Sequence, residues 1–258
     1  MSNAPLSASI SAPITPHREL RSYYGIAPGK REFLRDIFNE TAGDYDRVER
    51  CLAIGTGSWY RRQALRRAGL ARGMHVLDVA TGTGLVAREA IQIVGHDRYV
   101  IGVDPSIGML AQARTLDRLL PVLGVGESLP FDDRQFDFIS MGYALRHLPD
   151  LRQAFAEFHR VLEPGGRVCV LEISRPNGRL QTMLLSGYFQ LLLPIFARLV
   201  EASHQTHRLW KYYWETIDAC VAPDVVLQAM RDVGFVDVKR RVSVGVFSEY
   251  VGERRSDG

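Results

Sequence analysis

Short apolar runs alternate with amphipathic stretches through the middle of the chain. Met74–Val79, Tyr99–Val103, Pro121–Gly124, Phe136–Met141 and Arg167–Glu172 read as strands. Helical patterns near 84–94, 106–119 and 151–162 separate them. Asp150 stands where the third of these needs an N-cap, and Glu163-Pro164-Gly165-Gly166 ends it in a turn. Before the strands, residues 31–43 carry Phe33, Leu34, Ile37 and Phe38 at helical spacing, with Tyr45-Asp46 at the helix end. Residues 59–68 form a second amphipathic helix running into Gly69. At the other end, Pro223-Asp224 open a last helix, Gly234 stops it, and Phe235–Arg241 and Ser243–Val251 form a final strand pair. The alternation predicts an α/β, Rossmann-like fold. Its seven-stranded sheet is mostly parallel, has helices on both faces, and ends in an antiparallel strand pair.

Between the fifth strand and the last helix lies an insertion, about 175–220. Leu180 to Ala197 has no charged residue, but Gln181, Ser186, Gln190 and Pro194 interrupt it, which argues against a membrane span. A helical lid over an apolar substrate is the preferred reading; membrane-surface contact and a dimer surface stay open. Residues 1–30 read as a loose tail, rich at first in Ser, Ala and Pro, and 31–258 as a single domain.

Composition changes this picture little. The 258 residues suit one large domain, and net charge is +3. Arg61-Arg62, Arg66-Arg67 and Arg240-Arg241 read as solvated faces rather than a nucleic-acid groove. Cys51, Cys169 and Cys220 are too scattered for a disulfide framework and fit a reducing, cytoplasmic setting. The N-terminus has no signal-peptide pattern. His204 and His207 share a helix face, yet no Cys or carboxylate cluster joins them, so no metal is expected.

The chemistry concentrates in VLDVATGTG and GVDPSIGML. An apolar run ends at Asp78, Gly82 and Gly84 make a tight turn, and a second apolar run ends at Asp104. A carboxylate at the second strand's tip suits vicinal ribose hydroxyls. Gly82, Gly84 and Ala87 also satisfy a dinucleotide fingerprint. Asp78 would repel a pyrophosphate, however, and suits a ligand bearing an ammonium and a sulfonium. With no second βαβαβ half downstream, S-adenosylmethionine is expected rather than NAD.

FNETAGDYD, VLDVATGTG, GVDPSIGML, ESLPFDDRQFDFIS, ALRHLPDLRQAFAEFHRVLEPGGRVCVLEISRP and MRDVGFVDV together resemble the ubiquinone/menaquinone biosynthesis C-methyltransferases, the UbiE family within class I S-adenosylmethionine-dependent methyltransferases. The chain departs from that pattern at Glu49, at Gly55–Tyr60, at Val125 and at His147, where the family has other residues.

The resemblance implies a methyltransferase acting on a lipophilic small molecule, at carbon of a quinol or phenol. The alternatives are an O- or N-methyltransferase of a secondary metabolite or phospholipid head group, and a non-catalytic S-adenosylmethionine-binding partner. Asp78, Ala80, Gly82, Thr83 and Gly84 are expected at the methionine end, and Asp104 with Pro105 at the ribose. Met109, Val125, Gly126 and Glu127 are expected around adenine, with Gly142 leading to the acceptor. Arg146 is expected to stabilise a phenolate, His147 to act as general base, and Tyr45 to line the mouth. Trp210, Tyr212, Tyr213 and Trp214 read as part core, part substrate wall.

Overall fold

The computed structural model describes residues 12–25, 28–52, 56–176, 178–188 and 204–257. Its strands are β1 (Val76–Val79), β2 (Val100–Asp104), β3 (Leu119–Leu123), β4 (Phe136–Gly142), β5 (Leu162–Ile173), β6 (Phe235–Ser243) and β7 (Phe247–Arg254). They form one sheet in the order β3-β2-β1-β4-β5-β7-β6. The first five pair in parallel; β7 joins β5 antiparallel and pairs in turn with β6. The expected fold class is the one observed.

The described helices are α1 (Arg21–Tyr24), α2 (Pro28–Leu52), α3 (Gly57–Arg67), α4 (Leu85–Val94), α5 (Ile107–Ala113), α6 (Leu151–Val161), α7 (Arg179–Gly187), α8 (His204–Asp218) and α9 (Pro223–Asp232). Both sheet faces are covered, which is why β1 is apolar at nearly every position and buried throughout. Leu77 and Val79 join Phe155, Phe158 and Met230 on one side. Val76 joins Leu65, Ala87 and Ile91 on the other. A third cluster packs Leu20 and Ile37 against Leu209, Tyr212, Tyr213 and Ile217. Strand order reverses between β1 and β4, so a crevice opens beyond their carboxyl ends, where ligands bind in open α/β sheets.

Four sequence expectations need correction. The helix expected over 31–43 runs from Pro28 to Leu52. Gly43 weakens a helix by about 1 kcal/mol, which contacts from Tyr45, Asp46 and Glu49 to the rest of the molecule offset. The helix expected over 106–119 is shorter, because the chain turns at Arg118 with φ +65° and enters β3 at Leu119. Residues 12–25 are not loose. Ile14 N–H donates to Asp150 Oδ1 at 3.1 Å, Val221 N–H donates to Pro16 O at 2.8 Å, and His17 bridges Cys220. Finally, Arg61 is no solvated residue but a buried one. Residues 1–11 and the middle of the expected lid, 189–203, lie outside the described residues, as do the side chains of His204 and His207.

Candidate active site

Three loops at the strand tips build the site. After β1, Ala80 (φ +54°), Gly82 (φ +57°) and Gly84 (φ +87°) fold the chain back into α4. Side chains pin this loop. Thr81 hydroxyl donates to Asp78 Oδ2 at 2.7 Å and Ser140 hydroxyl to Asp78 Oδ1 at 2.6 Å. Gly82 N–H donates to Asp104 Oδ2 at 2.8 Å, and Ser106 N–H to Asp104 Oδ1 at 2.8 Å. The N-cap of α5 is Ser106, whose Oγ accepts from Met109 N–H at 3.1 Å, so Asp104 is left for other work. Burial raises both Asp78 and Asp104 to about 6.

The glycines have different reasons to be there. A Cβ on Gly84 would stand 2.5 Å from Leu116 Cδ1, and one on Gly142 2.4 Å from Val86 Cγ2. Gly142 is demanded by packing against Val86 and Gly84 by its left-handed backbone, and Gly84 does not line the cavity described next. A Cβ on Gly82 would meet nothing within 4 Å, so glycine there keeps space open at the loop's crest.

That space belongs to a cavity of ≈ 590 Å³. Asp78, Ala80, Gly82, Thr83, Asp104, Pro105 and Met109 line one part of it. Val125, Gly126 and Glu127 close the β3 side. Glu127 faces α2, where Arg31 donates to its Oε1 at 2.8 Å. Leu34, Phe38, Tyr45, Leu85, Gly142, Tyr143, Ala144, His147 and Tyr213 line the rest.

Arg146 departs from expectation. It is 1% exposed and does not line the cavity. Its Nη1 is bound by Glu172 Oε1, its Nε donates to Thr216 Oγ1 at 3.1 Å, and its guanidinium lies 4.6 Å from the Tyr213 ring centroid. It ties the turn after β4 to β5 and α8 behind the cavity wall.

His147 does line the cavity, with its ring against Phe38, Tyr212 and Tyr213. Both ring nitrogens are buried without a hydrogen-bond partner among the described residues. Burial, then the charges of Arg146, Lys30 and His17, holds its pKa well below the usual imidazole value. The ring is therefore neutral at pH 7, a hydrogen-bond acceptor rather than a cation. Tyr45 hydroxyl lies 3.3 Å from that of Tyr213, and burial raises both phenols.

Several site residues escaped the sequence reading: Asn39, Asp46 and Arg61. Asn39 Oδ1 accepts from Ser106 hydroxyl at 2.7 Å and Gly108 N–H at 2.9 Å, and Thr83 hydroxyl donates to Asp46. A signal existed. Leu34, Phe38, Tyr45 and Glu49 all line the cavity and fall within about 60° of arc at 3.6 residues per turn.

The residues present fit the group expected from the sequence: open space over Gly82, a carboxylate at each of two strand tips, and an apolar bed at Met109 and Val125. A model of the ubiE/COQ5 methyltransferase family matches residues 27–254. The chain belongs to that family. It is a methyltransferase that uses S-adenosylmethionine. The methyltransferase is 32% identical over 240 residues to a demethylmenaquinone methyltransferase of Symbiobacterium thermophilum, covering 89% of this chain and 95% of that one. It is 33% identical over 233 residues to a ubiquinone/menaquinone biosynthesis C-methyltransferase of Geobacter sulfurreducens, covering 87% and 90%. A solved Thermotoga maritima structure, described as an S-adenosylmethionine-dependent methyltransferase and possible histamine N-methyltransferase, aligns with TM-score 0.59 at 20% identity, covering 86% of this chain and all of that one. At that identity the methyltransferase shares its fold. Among the described residues no helix is long and apolar enough to cross a membrane, and no three His, Cys, Asp or Glu side chains gather around a metal site.

Proposed function

We propose that this enzyme transfers the methyl group to a ring carbon of a lipophilic quinol; its relatives are named a demethylmenaquinone methyltransferase and a ubiquinone/menaquinone biosynthesis C-methyltransferase, which supports the reading. One observation carries the reading. The carboxylate-tipped donor site and an aromatic chamber holding a neutral, unpartnered imidazole are parts of one cavity. When bound, S-adenosylmethionine supplies a methyl group activated by a sulfonium for in-line displacement.

The chain's residues supply position and charge. Asp104 accepts from the ribose hydroxyls, and Gly126 N–H meets the adenine edge that Val125 cannot serve with a side chain. Phe38, Tyr45 and Tyr213 hold the acceptor ring and exclude water. His147 accepts the hydrogen bond of the acceptor hydroxyl and takes proton density as charge flows to the attacking carbon. The field of Arg146 favours the developing phenolate. The new C–C bond forms as the donor's S–CH3 bond breaks, and the ring carbon then gives up its own proton to solvent water, which restores aromaticity. Helix α8, through Tyr213, closes the acceptor side of the cavity.

The test is mass spectrometry of quinol acceptors incubated with the enzyme and methyl-labelled S-adenosylmethionine. Label on a ring carbon is expected; label on oxygen, or none on any quinol, sinks the reading. His147→Leu should retain S-adenosylhomocysteine binding and lose turnover roughly 100-fold, the lower end of general-base contributions, as suits a base whose pKa lies below the working pH. Undiminished turnover would remove His147 from the chemistry.

A further inference from the structure

Glu49 and Arg61 form a buried ion pair inside the cavity, which the roles assigned above do not use. Arg61 is 2% exposed and donates from Nη1 to Glu49 Oε1 at 2.6 Å. Its Nε is buried without a hydrogen-bond partner among the described residues. Both side chains line the cavity. The other guanidinium groups lining it belong to Arg31 and Arg35, which are more than half exposed and already paired, Arg31 with Glu127 and Arg35 with Asp36. A buried guanidinium with a donor left over is costly unless something accepts from it.

The pair's place in the fold says what that something is. Asp46, three residues before Glu49 on α2, takes the hydroxyl of Thr83 in the glycine loop. Arg62, next to Arg61 on α3, donates to Glu89 of α4 at 2.8 Å. The pair therefore flanks the start of α4. With adenine over the β3 loop and ribose at Asp104 on β2, the remainder of the donor extends across β1 toward this corner. That remainder is an α-amino acid, one ammonium and one carboxylate. Asp78, at the tip of β1, also lines the cavity and keeps acceptor capacity beyond its bonds to Thr81 and Ser140, but it is an anion and offers nothing to the carboxylate.

We propose that Arg61 and Glu49 together clamp the amino-acid end of the methyl donor. The α-carboxylate accepts from the Arg61 guanidinium, and Glu49 accepts from the α-ammonium. This rests on the assignment of the cavity to the donor.

Calorimetry on the full chain tests it with three ligands: S-adenosylhomocysteine, its decarboxylated analogue, and 5′-methylthioadenosine, which lacks the whole amino-acid end. The unmodified enzyme should bind S-adenosylhomocysteine roughly 10- to 100-fold more tightly than the decarboxylated analogue, as loss of a charge-assisted bond implies. Arg61→Gln should erase that difference and leave 5′-methylthioadenosine affinity within about twofold. Equal binding of the first two ligands by the unmodified enzyme overturns the clamp, whether or not the variant folds. So does a variant that weakens 5′-methylthioadenosine as much as S-adenosylhomocysteine, which marks a purely structural pair. Unchanged S-adenosylhomocysteine affinity with a raised KM for the quinol gives the cation to the acceptor instead. If the unmodified enzyme binds none of the three, the cavity assignment falls first and the clamp with it.

Discussion

Asp104 works in two directions. It receives two backbone N–H groups and still faces the cavity. Asp104→Ala should weaken S-adenosylhomocysteine binding by about 1–3 kcal/mol, the usual loss for stranded hydrogen bonds to a charged group; unchanged calorimetric affinity would refute the role. Burial lifts Asp78 and Asp104 to about 6, so the free enzyme protonates them as pH falls through that value. A ligand that needs Asp104 ionised then binds less well below pH 6, by up to roughly tenfold per unit. Affinity that is flat from pH 7 to pH 5 would show that binding does not depend on an ionised Asp104. These two acids and Gly82 were legible because a local motif presents them. Arg146 was misread because its partners, Glu172 and Thr216, lie 26 and 70 residues away.

Among the elements, α2 carries most of what the sequence concealed. Its length was underestimated because Gly43 looks like a stop, while the contacts that override it come from residues remote in sequence. Gly108 has the same kind of cause: a Cβ there would come within 2.9 Å of Asn39 O, so glycine lets α2 and α5 touch. Asn39→Ala removes two hydrogen bonds to the start of α5. It should lower stability by about 1–2 kcal/mol in chemical denaturation. It should also weaken S-adenosylhomocysteine binding, because α5 carries Met109. An unchanged denaturation midpoint would show that α2 does not brace α5.

Across the whole molecule, the mostly parallel sheet with its antiparallel end pair was readable because strands and helices alternate with clear periodicity. The packing of residues 12–25 was not, since Pro16, His17 and Leu20 carry no periodic signal of their own. The Arg146–Glu172 pair belongs to this scale. Arg146→Ala leaves Glu172 buried without its counter-charge, and breaking such a pair costs about 3–5 kcal/mol. Equilibrium unfolding should show that loss, and near-normal stability would mean that Arg146 matters for chemistry rather than for holding α8 to the sheet.

Helix α2 touches every strand-tip loop around the donor site: Glu127 through Arg31, the start of α5 through Asn39, and the glycine loop through Asp46. A ligand that orders those loops therefore steadies the helix that joins them. Its backbone amides should exchange with deuterium more slowly in the liganded enzyme than in the empty one, and equal exchange in the two would show that α2 does not sense the donor site.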